Sequence, residues 1–142
     1  MDTMEFRIQR LAADVQLPFQ KHPGDAGWDL FSRETVVLAP GQRHVFALGF
    51  AAEFPASLVA LIHDRSSLGS KGIHCLAGVI DASYRGEWKV VVLNTSPESY
   101  TISAGDRLAQ CVFQRVEPLS IHAVDSLTTS SRGEGGFGST GK

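Results

Sequence analysis

One stretch near the middle of the chain combines residue types that bind phosphate. It is DRSSLGSKG, residues 64–72, in which Arg65 is followed directly by Ser66 and Ser67. A guanidinium group donates two parallel hydrogen bonds to phosphate oxygens, and serine hydroxyls donate further ones. The stretch therefore predicts an anion-binding segment. An ST-turn that caps a single helical turn explains the same residues equally well.

The C-terminal stretch RGEGGFGSTGK (132–142) combines similar groups with many glycines. It contains the G-x-G-x-x-G pattern of dinucleotide-binding folds and most of the G-x-x-x-x-G-K-[ST] pattern of a P-loop. Both of those loops require a helix directly after them, and we expect none here. Arg132 instead supplies a cation, Ser139 and Thr140 supply hydroxyl donors, and Phe137 supplies an apolar ring. The stretch is suited to an anion-binding flap, with a disordered terminus as the alternative.

A third stretch, AGVIDASYRGEWKVVVLN (77–94), places a carboxylate and a phenol beside a run of apolar residues. We interpret it as a β-hairpin with Asp81 and Tyr84 near its bend. An aspartate at the end of a hydrophobic strand can act as a general base, and a turn-forming Asx residue is the alternative. Two further stretches are DAGWDL (25–30), which places two carboxylates on a loop, and GDRLAQ (105–110), which opens a strand with a turn.

Short apolar or alternating runs supply the elements that must position these groups. They are bounded by turn residues and are rich in valine, isoleucine and phenylalanine, which favours strands over helices. About nine such runs predict an all-β jelly-roll or β-sandwich, with one short helical turn around RSSLGSK. The expected strands are EFRIQRL, TVVL, HVFALGF, SLVALI, CLAGVI, EWKVVVLN, SYTI, RLAQCVFQRV and LSIHAV.

The composition changes at Asp125. Residues 125–142 hold five of the 14 glycines and few apolar side chains. Such a segment buries too little surface to offset its ordering entropy. We therefore expect a β jelly-roll domain over residues 1–124 and a flexible, glycine-rich C-terminal lid over residues 125–142.

The bulk composition restricts the class of function. The formal net charge of −2 provides no basic surface for a long nucleic acid, and no run of residues is long and apolar enough to cross a membrane. Cys75 and Cys111 lack metal-binding spacing and are expected to be reduced core thiols, and the five histidines likewise show no ligand spacing. The start of the chain does not resemble a signal peptide. We expect a cytoplasmic protein with neither nucleic-acid nor membrane partners.

Five of these stretches resemble, in the same order, the five motifs of the trimeric dUTPase family. The matching stretches are DAGWDL, DRSSLGSKG, GVIDASYRGE, GDRLAQ and RGEGGFGSTG, which together extend from about residue 25 to residue 141. The resemblance implies a homotrimer of jelly-roll subunits with active sites between them. It also implies Mg²⁺-dependent hydrolysis of dUTP to dUMP and pyrophosphate, a reaction that limits uracil in DNA and supplies dUMP for thymidylate synthesis.

The resemblance further implies how the chemistry is divided among residues. Asp81 matches the base that activates water for in-line attack on the α-phosphorus. Mg²⁺ would be held mainly by the triphosphate, with no direct protein ligand and with Asp29 acting at most through water. The phosphate contacts match Arg65, Ser66, Ser67 and Gln110, together with the tail residues Arg132, Gly138, Ser139 and Thr140.

Recognition of the base and sugar is assigned by the same resemblance. Tyr84 would pack against the deoxyribose, Lys89 matches a further substrate-contacting position, and Phe137 would cover the base from another subunit. Cys75 lies where many bacterial members have an asparagine that contacts uracil. The backbone of Gly78, Val79 and Ile80 would pair with the uracil edge, which differs from cytosine in its donor and acceptor pattern.

Two other functions are compatible with parts of the sequence. A dCTP deaminase has a related fold and an RSSL segment, but its catalytic glutamate would align with Val91, which cannot transfer protons. A non-catalytic dUTPase-like binding or signalling module should lack Asp81 or the tail, and both are present.

The sequence also departs from the family at Asp64, where proline is common, and at Trp28, where tyrosine is usual.

Overall fold

The structure is a computed structural model that describes residues 4–139 and 141. Within this part of the chain there are eleven strands and one single-turn helix. They are β1 (Arg7–Arg10), β2 (Gly27–Phe31), β3 (Val36–Leu38), β4 (Arg43–Ala47), β5 (Phe50–Glu53), β6 (Leu58–His63), α1 (Ser66–Gly69), β7 (Ile73–Leu76), β8 (Val79–Asp81), β9 (Lys89–Asn94), β10 (Tyr100–Ile102) and β11 (Arg107–Arg115). The predicted all-β fold with one short helical turn is confirmed.

All strand pairs are antiparallel. The largest sheet has the order β2-β11-β6-β8, a second sheet has the order β4-β9-β7, and two smaller pairs join β1 to β5 and β3 to β10. Strands that are neighbours in the large sheet can lie far apart in the sequence, because β11 pairs with both β2 and β6. The ends of these three strands therefore bring distant residues together.

The core lies between the sheets and is dominated by aromatic and branched side chains. Trp88 and Phe50 are almost completely buried, with ring centroids 5.3 Å apart. On β9, Val90 and Val92 point into the core, as the alternation of a strand requires. Each such buried side chain stabilises the fold by roughly 1.5–3 kcal/mol. This packing fixes the strands that carry the candidate site.

Two of the predicted strands are each divided in two. HVFALGF becomes β4 and β5, because Gly49 between them has a φ of +78° and a Cβ there would lie 2.7 Å from Val15. CLAGVI becomes β7 and β8, with Ala77 and Gly78 at φ values of 60° and 113°. Left-handed backbone interrupts a strand, so each run turns where these residues occur.

The predicted hairpin over residues 77–94 is wrong. β8 pairs with β6, whereas β9 pairs with β4 and β7 in the other sheet. A turn closed by the Tyr84 N–H to the Asp81 carbonyl starts the connection, and Trp88 then enters the core. The chain therefore crosses between sheets after Asp81 instead of folding back on β8.

Two other local interpretations are also corrected. DAGWDL (25–30) was expected on a loop, but its residues 27–30 belong to β2, which the pairing with β11 stabilises. LSIHAV (119–124) was expected as a strand but forms none, and its apolar side chains, including Ile121, are exposed. Propensity alone does not make a strand when the chain supplies no partner. In the described residues no helix is long and apolar enough to cross a membrane.

Candidate active site

An open polar cavity of about 410 Å³ lies where β2, β11 and α1 meet. It collects residues from the stretches that the sequence analysis singled out as DAGWDL, DRSSLGSKG and GDRLAQ. Its lining residues are Lys21, Asp25, Ala26, Gly27, Asp29, Arg65, Ser66, Ser67, Arg107 and Gln110.

The single turn α1 presents the serines at the cavity. Arg65 holds the N-cap position in an extended conformation, and its carbonyl accepts the N–H groups of Leu68 and Gly69. The side chain of Leu68 is buried and anchors the turn, while Ser66 and Ser67 stay exposed. The N-cap side chain makes no capping hydrogen bond. The predicted helical turn is therefore present, and its two serines line the cavity.

Two arginines share one carboxylate in the cavity. Asp29 lies 3.4 Å from Nε of Arg65 and 3.3 Å from Nε of Arg107, and its side chain is only 17% exposed. The Arg65 guanidinium also donates to the carbonyl of Arg107 at 3.4 Å. Two cations against one anion leave a net positive charge that suits a polyanionic ligand.

Arg107 and Lys21 belong to this cavity, and the sequence analysis did not identify either residue. The register of β11 against β2, which pairs Arg107 with Phe31 and Gln110 with Asp29, explains the position of Arg107. Pairing of DAGWDL with GDRLAQ is what brings Arg107 to the carboxylate of Asp29. Lys21 precedes β2 in a loop, and no local pattern marks it.

Gln110 is held with its amide group toward the cavity. Its Nε2 donates to the carbonyl of Asp64 at 2.8 Å. Its Oε1 occupies the space where a Cβ on Gly27 would be, so a side chain at position 27 would displace the amide. Gln110 lines the cavity, and the second N–H of its amide can donate a hydrogen bond to a phosphate oxygen.

The backbone segment expected to recognise a base, residues 78–80, lies just before and within β8, which pairs with β6. β8, which carries Val79 and Ile80, is the edge strand of its sheet, paired with β6 on one side only. The carbonyl of Gly78 accepts the N–H of Ile62, and a Cβ at position 78 would lie 2.8 Å from the Ile62 Cβ. An edge strand offers backbone donors and acceptors to a planar ligand as it would to another strand.

Cys75 is not poised to present its thiol to a ligand. Its side chain is buried, and its backbone N–H donates to the carboxylate of Asp64 at 2.5 Å. Burial and the neighbouring Asp64 charge raise the pKa of the Cys75 thiol to about 12. Burial alone raises the pKa of Cys111 to about 12 as well. Both thiols are therefore protonated near neutral pH, as expected for core cysteines.

Asp81 ends β8 and has an exposed side chain. Tyr84 lies one turn further on, where its hydroxyl donates to the carbonyl of Glu87 at 2.9 Å. A Cβ on Gly86 would lie 2.5 Å from that hydroxyl oxygen, so glycine is needed for the ring to pack there. This fixed, half-exposed ring is suited to packing against a sugar.

The residues around Asp81 and the residues that line the cavity around Arg65 lie apart within one chain. Asp81 lies opposite Val59 near the start of β6, whereas Asp64 and Arg65 follow the end of that strand. At about 3.3 Å per residue, the path from Val59 to Asp64 spans about 17 Å. Lys89 lies apart again, exposed at the start of β9. We call these two groups of a single chain half-sites: one is the cavity around Arg65, and the other contains residues 78–81 and Tyr84.

The described residues of the tail line neither half-site in this chain. Arg132 donates through Nε to the carbonyl of Gly135 at 2.8 Å, and Ser139 donates its N–H to the carbonyl of Gly136. Phe137 is fully exposed, with a φ of 50°. Gly138 is exposed too, and the predicted contact of Thr140 lies outside the described residues.

These features define a class of protein: an antiparallel β-sandwich with a polar, positively charged cavity at the end of a sheet, which suits a polyanionic ligand. The particular family follows from comparison with known proteins. The dUTPase family profile matches residues 13–141. The deoxyuridine 5'-triphosphate nucleotidohydrolase of Thermobifida fusca is 48% identical, covering 98% of this chain and 80% of that protein. Its counterpart in Rhodococcus erythropolis is 43% identical, covering 99% of this chain and 88% of that protein. The chain belongs to the dUTPase family.

Solved structures agree with this assignment and with the predicted jelly-roll. The Staphylococcus bacteriophage 80alpha dUTPase with dUpNHpp superposes with a TM-score of 0.90 at 29% identity, covering 97% of this chain and 99% of that one. A mutant dUTPase from phage phi11 of S. aureus, described with a structural Mg(II) ion, gives 0.80 at 26% identity, covering 88% and 99%. The fold prediction is confirmed.

Proposed function

We propose that this protein is a dUTP diphosphatase that hydrolyses dUTP to dUMP and pyrophosphate. The observation that carries the proposal is the polar cavity in which Arg65 and Arg107 share Asp29 beside two serines, in a chain of the dUTPase family. Such a cavity fits the charge and the hydrogen-bonding needs of a polyphosphate.

The chemical step assigns separate roles to the two half-sites. Asp81 has an exposed carboxylate that can accept a proton from water as it attacks the α-phosphorus. Charge then develops on the departing pyrophosphate, where Arg65, Ser66, Ser67 and Gln110 stabilise it through preformed donors. Arg107, whose guanidinium lines the same cavity, belongs to this set.

Base selectivity comes from the edge of β8. The backbone of Gly78, Val79 and Ile80 pairs with uracil, and cytosine would leave a donor and an acceptor unmatched. Cys75 contributes to the uracil site through its place on β7, just before the turn into β8, since its thiol is buried. Tyr84 packs against the deoxyribose, and Lys89 adds a contact to the substrate.

Mg²⁺ is the cofactor that this reaction implies, and the donor set fits an ion delivered with its substrate. Among the described residues no cluster of three or more histidine, cysteine or acidic side chains could hold a metal. Asp29 faces the phosphate cavity while paired with two arginines, so it would act on the ion through water. When bound with the triphosphate, the ion supplies charge neutralisation at the leaving group.

A homotrimer explains the separation of the half-sites. Residues that act on one triphosphate must lie within hydrogen-bond reach of its atoms, and about 17 Å along β6 is too far. Closed rotational symmetry can join the Asp81 side of one chain to the Arg65 side of the next. Exposed apolar side chains after β11 provide surface for such an assembly: Leu119, Ile121, Val124 and Leu127.

The tail of a third chain completes each site in this proposal. Residues 1–124 form the jelly-roll domain, and residues 125–142 form a lid. Arg132, Gly138, Ser139 and Thr140 bind the β- and γ-phosphates, and the exposed ring of Phe137 covers the base. The expected location is the cytoplasm, with no nucleic-acid or membrane partner.

Pyrophosphate release from dUTP, set against dCTP, dTTP and UTP, tests the function. Rapid release from dUTP alone, dependent on Mg²⁺, is the expected result. Ammonia release from dCTP would instead support a deaminase. Binding of dUTP without release of any product would support a non-catalytic module.

A further inference from the structure

Asp64 lies at the point where three elements of the candidate site meet. It follows β6, directly precedes Arg65, and faces β7 and β11. We propose that Asp64 is a positioning residue, which holds the phosphate-binding segment and the start of the base-binding segment in a fixed relation. The proposal rests on the function proposed above.

The carboxylate of Asp64 fixes the end of β7. Its Oδ1 accepts the backbone N–H of Cys75 at 2.5 Å, and its Oδ2 lies 2.7 Å from Nδ1 of His74. The base-binding turn at Ala77 and Gly78 begins two residues after Cys75. Two contacts from one carboxylate therefore set the position from which that turn starts.

The backbone of Asp64 fixes the phosphate side. Its carbonyl accepts Nε2 of Gln110 at 2.8 Å, which orients the amide in the cavity. The next residue is Arg65, whose guanidinium meets Asp29. The turn α1 also packs over Asp64, because a Cβ on Gly69 would lie 3.7 Å from the Asp64 Cβ. A shift of Asp64 would move both cavity groups.

The charge of the carboxylate is stabilised in place. Burial raises the pKa of Asp64, but the hydrogen bonds from His74 and Cys75 and the charge of His74 outweigh burial and hold the pKa below its ordinary value. Removing the carboxylate would leave the buried N–H of Cys75 unpaired, which is costlier than losing a solvated contact. The anion is therefore an integral part of this junction.

The two half-sites give the proposal a distinctive consequence. dUMP tests mainly the base and sugar contacts, whereas the non-hydrolysable dUpNHpp also tests the β- and γ-phosphate contacts. Because Asp64 connects to both segments, its loss should weaken both ligands. A residue that supports the fold alone would lower the melting temperature and leave the binding constants of the folded protein unchanged.

The test compares D64A and D64N with wild type and with the control E34A. Glu34 forms an equally short carboxylate–histidine contact with His44, 2.6 Å long, on another part of the surface. Dissociation constants for dUMP and dUpNHpp are measured by calorimetry, with KM for dUTP and the melting temperature alongside. Wild-type pyrophosphate release is measured first, since its absence would refute the proposed function independently of Asp64.

We expect D64A to raise KM and both dissociation constants about tenfold, the effect of losing one buried hydrogen bond. D64N, which keeps an acceptor for the Cys75 N–H, should stay within about threefold of wild type, and E34A should match wild type. Folded D64A with wild-type constants would overturn the proposal, as would equal losses in E34A. If D64A does not fold, D64L, which is close to aspartate in shape but has no acceptor, takes its place with the same expected losses.

Discussion

At the scale of single residues, the assignment of Asp81 as the base is the most direct to test. Asp81→Asn keeps the shape of the side chain but removes its ability to take a proton from water. We expect turnover of dUTP to fall by at least about a hundredfold while dUpNHpp still binds. Pyrophosphate release and calorimetric binding measure the two effects separately.

Asp14→Asn is the matched control, because the side chain of Asp14 is 86% exposed and lies outside both half-sites and the lid. It should behave like wild type. Substantial turnover by the Asp81→Asn enzyme would remove the base assignment, and loss of dUpNHpp binding would show that Asp81 contributes to binding instead.

Arg107, like Lys21, is a cavity residue that the sequence patterns did not reveal, and a control on the same strand tests its contribution. Arg107→Ala leaves Asp29 with one arginine partner and removes one cation from the phosphate site. We expect KM for dUTP to rise about tenfold, since a charge-assisted contact is lost. Arg115→Ala, at the exposed far end of β11, is the control. Equal KM values for the two variants would exclude Arg107 from the site.

At the scale of elements, the base-binding edge depends on how β7 turns into β8. Gly78→Ala puts a Cβ at a φ of 113°, 2.8 Å from the Ile62 Cβ and 3.2 Å from its carbonyl oxygen. We expect a loss of about 1–3 kcal/mol of stability and a lower preference for dUTP over dCTP, because β8 must shift.

Gly41→Ala provides the matched comparison for that substitution. Gly41 has a φ of +77° with nothing within 4 Å of the added Cβ. Its variant should lose stability through backbone strain alone and retain the wild-type dUTP preference. Denaturant unfolding and the ratio of kcat/KM for dUTP and dCTP distinguish the two. If both variants kept the same preference, the turn would not set selectivity.

Local patterns predicted much of the fold but little of the pairing. The turn at RSSL and the strand TVVL were recognisable, because spacing and turn residues act within a few positions. Pairing of β2 with β11 joins residues some 80 positions apart, so the strand character of GWDLF and the place of Arg107 were hidden. For the same reason β8 looked like the partner of β9, although its hydrogen bonds go to β6.

The candidate site was predictable to a similar degree. Arg65, Ser66, Ser67 and Gln110 were identified as phosphate contacts, and the structure collects them around one cavity. The contacts of Asp64 depend on side-chain geometry across three strands, which sequence spacing does not encode. The distance between the half-sites likewise appears only when Asp81 is placed beside Val59.

At the scale of the whole molecule, the proposed trimer would account for several exposed groups. The apolar residues Leu119, Ile121 and Leu127 lie along an exposed segment, and Phe137 is fully exposed in the tail. A monomer gains nothing from exposing them, whereas in a trimer they can pack on neighbouring chains. The proposed lid role of residues 125–142 fits the same arrangement, because the described residues of the tail line neither half-site of their own chain and can reach those of another.

Shared sites make a quantitative prediction for mixed trimers. In a trimer that contains D81N and R65A chains, one of the three sites combines the intact Asp81 of one chain with the intact Arg65 of the next. Each variant alone should be inactive, while coexpressed chains purified through two different tags should regain about one third of wild-type turnover. The control coexpresses D81N with the double variant D81N/R65A, in which every site lacks the base. Mixed trimers as inactive as this control would show that Asp81 and Arg65 act within the same chain, and the composite site would have to be abandoned.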